Sequence, residues 1–205
     1  MKKILVSLVA MLMTAPSFAQ LSSGGFELDK ESVYYGVRFG GTIASINGDC
    51  SLGAKTGMTL AGVLGLRLSE TTPVFLESGL YYTQRGGKGE YKGNTWEVVH
   101  NNIEIPLLIK YGFKVSDDFA ILPYVGPYFA YAVSKEQKNK TENPGYTDSY
   151  PRVNRNNMGF KLGCGAEYHK LYIEVGYQIG VTNILDDEDW DAKNNAFFAN
   201  FGINF

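Results

Sequence analysis

Beyond its first residues the chain has no continuously apolar run of about 20 residues, so no helix of it is expected to cross a bilayer. Cysteine is almost absent: Cys50 and Cys164 alone cannot make a disulfide framework, and their expected difference in height and facing argues against one bridge. Only two histidines occur, His100 beside Asn101 and Asn102 and His169 beside Lys170, with no serine next to either, which leaves hydrolytic catalysis little to work with. A cationic excess is missing too, with 19 Lys and Arg against 21 Asp and Glu, and no basic stretch is interleaved with aromatics. Nucleic acid is therefore excluded as a partner.

What is present is a polarised start followed by a long alternation. Lys2 and Lys3 precede an apolar run from Ile4 to about Met13, then Pro16, Ser17, Phe18 and Ala19. This is the pattern of a secretory signal peptide, expected over residues 1–19. Residues 20–31, with Ser22, Ser23, Gly24 and Gly25, are expected to form a flexible periplasmic lead, and residues 32–205 a single domain. Without Lys2 and Lys3 the mature chain carries 17 basic residues against 21 acidic ones, a mildly acidic balance.

From Tyr34 onward, every second residue is apolar in eight successive stretches, the period of a β-strand. The first sets are Tyr35, Val37, Phe39, Gly41, Ile43 and Leu60, Gly62, Leu64, Leu66, Leu68, then Leu76, Leu80, Tyr82. Two more are Ile103, Ile105, Leu107, Ile109, Tyr111 and Ile121, Val125, Phe129, Tyr131, Val133. The last three are Phe160, Leu162, Cys164, Ala166, Tyr168, then Ile173, Val175, Tyr177, Ile179, Val181, and Phe197, Ala199, Phe201, Ile203, Phe205. A mean hydropathy of −0.15 follows from averaging two unlike faces.

Alternation alone fits either a soluble carrier with an apolar inside or a membrane barrel with an apolar outside. Glycine discriminates. Twelve glycines share the polar face (Gly36, Gly40, Gly65, Gly79, Gly112, Gly126, Gly159, Gly163, Gly165, Gly176, Gly180, Gly202), against Gly41 and Gly62 on the apolar one. Glycine weakens a solvent-facing strand, whereas a narrow lumen needs the room it leaves. The polar face also carries the charges within the strands: Arg38, Arg67, Arg85, Lys110 and Lys161 with Glu77, Glu104, Glu167 and Glu174. On a lipid face each would cost about 2–4 kcal/mol near the midplane. The expected fold is an all-β, eight-stranded antiparallel up-and-down transmembrane barrel with these nine residues as a paired polar network in its lumen.

Short connections are expected at Ser69–Pro73, Lys114–Asp118 and His169–Lys170 on the periplasmic side, and longer outer loops at residues 45–55, 86–95, 134–156 and 185–194. Aromatics on the apolar face cluster at two heights, Tyr35, Tyr111, Tyr168 and Phe205 below and Tyr82, Phe129, Tyr131 and Phe197 above, as interfacial girdles do. Pro106, Pro123 and Pro127 fall inside strand patterns of a sheet without a free edge, and bulges or strand starts are expected there.

Three segments carry a resemblance: Ile103-Glu104-Ile105-Pro106-Leu107-Leu108-Ile109-Lys110-Tyr111, Gly79-Leu80-Tyr81-Tyr82-Thr83-Gln84-Arg85-Gly86 and Pro123-Tyr124-Val125-Gly126, followed by Tyr177-Gln178-Ile179-Gly180-Val181-Thr182-Asn183-Ile184. In this order and spacing they resemble the porin-like outer-membrane β-barrel domain family of Gram-negative bacteria, over essentially the whole mature chain. The resemblance implies an eight-stranded barrel in the cell outer membrane and brings no catalytic residues or cofactor. The ending with Phe201, Ile203 and Phe205 is similar to the signal by which barrel assembly machinery recognises its clients.

The expected partners are outer-membrane lipid, the assembly machinery during biogenesis, and a surface ligand or host partner reached through the outer loops, where Tyr146, Tyr150 and Arg152 are contact candidates. Asp186, Asp187, Glu188, Asp189 and Asp191 match no calcium-loop spacing and read as a solvated loop, and Asn139-Lys140-Thr141 as a chance sequon. No cofactor or metal is expected. A structural or surface-interaction scaffold with a plugged lumen ranks first, a narrow channel for small solutes or ions second, and a lipid-acting enzyme third.

Overall fold

Strands with one apolar face and no free edge must close on themselves, and in the computed structural model they do. The structure describes residues 33–49, 51–91, 94–139, 146–148, 154–184 and 191–205. The expected signal peptide and lead, Cys50, Lys140 and Thr141, Tyr150 and Arg152, and Asp186 to Asp189 lie outside them. Among the described residues there are ten strands: β1 (Val33–Gly48), β2 (Leu52–Arg67), β3 (Val74–Tyr91), β4 (Asn94–Tyr111), β5 (Phe113–Lys114), β6 (Phe119–Asn139), β7 (Tyr146–Asp148), β8 (Asn156–Tyr168), β9 (Leu171–Gly180) and β10 (Ala192–Asn204). Eight of them form a closed antiparallel ring in chain order, β4 pairing with β6 and β1 with β10, while β5 and β7 are short additions along β6.

The register fixes the tilt. Following direct partners once round the ring leads from Val33 through Leu66, Leu76, Ile109, Val125, Leu162, Tyr177 and Phe197 to Ile43, ten residues further along β1. Such a stagger inclines the strands by about 35–45° and leaves an interior only wide enough for side chains. Closure is completed at the C-terminus, where Phe205 and Tyr35 exchange backbone bonds of 2.8 and 3.2 Å and their rings stack at 5.6 Å.

The facing follows the alternation without a slip. Phe39 and Phe201 are 60% and 63% exposed, whereas Arg38 is 1% and Glu104 0% exposed. The apolar band therefore points out and the ionic residues point in, the reverse of a soluble carrier. Ser78 stands in that outer band, and its hydroxyl is satisfied by donating to the Pro106 carbonyl at 2.7 Å.

Two expectations need correction. The prolines cause no bulge: β3–β4 pairing keeps its register across Gly79, Leu80, Ile105 and Pro106, and β4–β6 pairing keeps its register across Leu107, Leu108, Gly126 and Pro127. The ladder loses bridges where proline has no N–H to give and resumes in step. The real register shifts lie higher, between Ala44 and Ile46, Gly53 and Thr59, and Asn101 and Asn102. The outer loops are also shorter than expected, because residues 45–48, 52–55, 86–91 and 134–139 continue as strand. With 16 to 21 residues, β1 to β4 and β6 exceed the roughly 9–11 that a tilted span needs, so one side of the barrel stands as a wall above the membrane.

Inside, aromatic rings fill more space than the sequence suggested. Tyr34, Phe75, Tyr81, Tyr124, Tyr128, Tyr172 and Phe198 are all buried. Several fill the space over a glycine directly across the ladder: Tyr34 over Gly65, Tyr124 over Gly163, Tyr128 over Gly159 and Phe198 over Gly176. A Cβ at Gly65 would overlap the Tyr34 ring. Gly65→Ala should cost about 1–3 kcal/mol by this overlap in the native protein, and little once Tyr34→Ala has removed the ring. Urea unfolding in lipid vesicles, read by heat-modifiable gel mobility, checks both; additive losses would exclude the ring–glycine contact.

Candidate functional site

The polar residues converge in the lumen because every second position of each strand faces the barrel axis. In the lower half Glu77 of β3 is the centre. Its Oε2 accepts from the Tyr34 hydroxyl at 2.6 Å and pairs with Lys110 Nζ at 2.8 Å and Arg38 Nη2 at 3.6 Å. Lys110 also donates to the Tyr172 hydroxyl at 2.9 Å. The Glu174 carboxylate accepts from the Tyr124 hydroxyl at 2.8 Å, Asn200 Nδ2 at 2.7 Å and the Tyr172 hydroxyl at 3.4 Å. Eight residues from six strands thus form one connected group around two carboxylates. Arg38 lies over the Tyr172 ring at 4.0 Å, so its fork is packed as well as paired.

A second group lies nearer the outer end. Arg85 of β3 and Glu104 of β4 make a tight ion pair. Gln178 Nε2 donates to Glu104 Oε1 at 2.5 Å, and Arg85 Nη1 donates to the Tyr128 hydroxyl at 3.3 Å, which donates in turn to Asn157 Oδ1 at 3.3 Å. Between the two groups Lys161 reaches no carboxylate within ion-pair distance among the described residues; its ammonium sits over the rings of Tyr81 at 4.2 Å and Phe198 at 4.4 Å. Glu167 closes the periplasmic end, accepting from Asn204 Nδ2 at 2.9 Å.

Arg67 does not belong to this interior. Its guanidinium caps the periplasmic turn, donating to the carbonyls of Ser69 at 2.7 Å and Glu70 at 3.2 Å. The last inward position of a strand faces the rim rather than the lumen, and parity cannot reveal that. With Arg67 outside, the expected set in the lumen is four cations (Arg38, Arg85, Lys110, Lys161) and four anions (Glu77, Glu104, Glu167, Glu174). The neutral members, Tyr34, Tyr124, Tyr128, Tyr172, Gln178, Asn157, Asn200 and Asn204, were not singled out from the sequence. Their inward parity was the available signal.

The arrangement holds a plug. Tyr81 and Glu104 are wholly buried, and Arg38, Arg85, Lys110, Glu77, Glu174 and Tyr172 are each 1% exposed. A water-filled path would leave such lining residues accessible. Outside, Phe201, Ile203 and Phe205 face away from the lumen on the closing strand.

The family described as outer membrane protein beta-barrel domain matches residues 18–186. The chain belongs to that family. This outer-membrane barrel therefore resides in the outer membrane, with its band of exposed aliphatic and aromatic side chains in the hydrocarbon. Among solved structures, the barrel is similar to Neisserial surface protein A, at 13% identity and a TM-score of 0.50, covering 85% of this chain and 100% of that one. A major outer membrane protein from Thermus thermophilus gives the same 13% identity, TM-score of 0.50 and coverage of 85% and 100%. Ail of Yersinia pestis, solved in complex with the heparin analogue sucrose octasulfate, matches at 12% identity and a TM-score of 0.45, covering 85% of this chain and 100% of that one. Comparison with curated proteins finds no match. At such identities the likeness is one of fold.

Glu104→Ala should lower stability by about 3–5 kcal/mol, because it strands the Arg85 charge in a closed interior, while Arg85→Met with Glu104→Leu should recover most of the loss. Thermal unfolding in detergent micelles measures both; equal losses in single and double variants would show that the pair is not what is being read.

Proposed function

We propose that this outer-membrane protein is a scaffold for surface structure or interaction: a sealed barrel that carries a raised β-wall and its loops beyond the membrane. One observation carries the proposal, the near-zero exposure of the charged and aromatic residues across the middle of the lumen. Long side chains held by ion pairs, hydrogen bonds and aromatic rings fill an eight-stranded interior, so the interior contributes rigidity and the outer ends contribute contact surface. The channel reading requires accessible lining residues and lacks them.

No catalysis is assigned. His169 lies at the periplasmic turn against Asp118 at 3.7 Å, and His100 lies between Arg85 and Lys135. Among the described residues no hydroxyl or thiol bonds to either ring, which is the geometry a base-activated nucleophile needs. The partner of the raised wall is a ligand or host surface in this proposal, and lipid is the partner of the band below. Phe201, Ile203 and Phe205 are proposed to serve the assembly machinery, since they project outward from the strand that closes the ring.

Planar-bilayer recordings of the full chain should show no steady, large open channel; one that persists in the native protein contradicts the scaffold proposal. Deleting Phe205 should reduce membrane insertion in cells several-fold while refolding into vesicles in vitro changes much less. Equal insertion of the two chains in cells would remove the assembly role.

A further inference from the structure

The row of irregularities above the membrane marks where the wall parts from the barrel. The register shifts between Ala44 and Ile46, Gly53 and Thr59, and Asn101 and Asn102, together with the positive φ of 127° at Gly48 and 147° at Gly86, all fall on the outer halves of their strands. Bulges bend strands and uncouple what lies beyond them from what lies below. The outward residues at this level are Gln84, Asn101 and Ser134, polar rather than apolar, so the row stands above the hydrocarbon band.

His100 sits beside this hinge line. Its direct cross-strand neighbours are Arg85 of β3 on one side and Lys135 of β6 on the other. Lys55 of β2 approaches the same place, its Cδ lying 3.3 Å from where a Cβ on Gly86 would be. Among the described residues the other ionisable groups here are Glu97 on β4, paired with Lys55 at 3.6 Å, Glu104 on β4, paired with Arg85, the Tyr128 hydroxyl of β6, bonded to Arg85, and Glu136 of β6, which stands across from Val99 and accepts from the Ser134 hydroxyl at 3.3 Å. Glu97 and Glu104 are thus engaged with other cations. His100 is only 4% exposed, and among the described residues its Nε2 has no hydrogen-bond partner. A charge on this ring would complete a row of three cations across three adjacent strands, and like charges directly opposite destabilise pairing.

We propose that His100 is an acid-sensitive latch: neutral, it lets the outer ends of β3, β4 and β6 stay paired; protonated, it parts them above the hinge line while the lumen plug below stays shut. Burial, with Lys135, Arg85 and Lys55 nearby, lowers its pKa from 6.5 to about 4. The closed wall thus binds the proton less readily than the opened one. Closure is at full strength above about pH 6.5, weakens about tenfold for each unit as pH falls below it, and levels off near pH 4.

The test is amide hydrogen exchange of the full chain in phosphatidylcholine vesicles from pH 7.5 to 4, corrected for intrinsic rates, comparing the native protein with His100→Gln and Lys135→Gln. Residues 94–101 and 134–139 should lose at least tenfold protection between pH 6.5 and 4 in the native protein, while residues 103–109 stay protected. His100→Gln should remove that loss, and Lys135→Gln should shrink it and move its lower limit to higher pH, because one repelling charge is gone. A flat native profile, or the same acid response in His100→Gln, overturns the latch by assigning the change to carboxylates. Should His100→Gln fail to fold, an unchanged profile in Lys135→Gln overturns it equally.

Discussion

Closing eight tilted strands in hydrocarbon imposes two demands at once, and the rest of this protein answers them. Every backbone polar group must find its partner within the ring, since lipid offers none. Every side chain must then go either outward, where charge is expensive, or into an interior that a stagger of ten residues makes too narrow for a channel. Even the exceptions obey: Pro106 and Pro127 forgo bridges without shifting register, and Ser78, outward in the apolar band, spends its hydroxyl on the Pro106 carbonyl.

The interior solves its crowding by pairing large with small. Rings from Tyr34, Tyr124, Tyr128 and Phe198 occupy the space over glycines on the neighbouring strand, and the tyrosine hydroxyls then reach the carboxylates and cations. Tyr34 does both, lying on Gly65 and donating to Glu77. The glycine excess on the inner face therefore reflects aromatic packing as much as room for long charged chains. Buried ionic groups are tolerated to the extent that they are satisfied: the shared carboxylates Glu77 and Glu174 take several donors each, while Glu77 Oε1, Arg38 Nε and Arg85 Nε have no hydrogen-bond partner among the described residues.

Legibility differed between the wall and its filling. Strand number, facing, periplasmic turns and the outward facing of Phe205 could be read from period-two alternation, because a one-residue slip would put Arg38 or Glu104 in lipid. The candidate site was legible as a set of charges but not as a set of contacts. Arg67 has the inward parity and yet caps a turn, while Lys161 is held by Tyr81 and Phe198 rather than by the glutamate at its height. The raised wall is not legible in the sequence because polar strand above a membrane lacks the alternation that identifies strand within it.

The sequence by itself determined which face of each strand meets lipid, since hydrocarbon rejects charge one residue at a time and the pattern records that rejection locally. Only the tertiary structure decided which side chains meet inside, how far the strands rise beyond the band, and that His100 lies between Arg85 and Lys135. Those outcomes depend on the stagger accumulated around a closed ring, a property of eight strands together that no single stretch of residues contains.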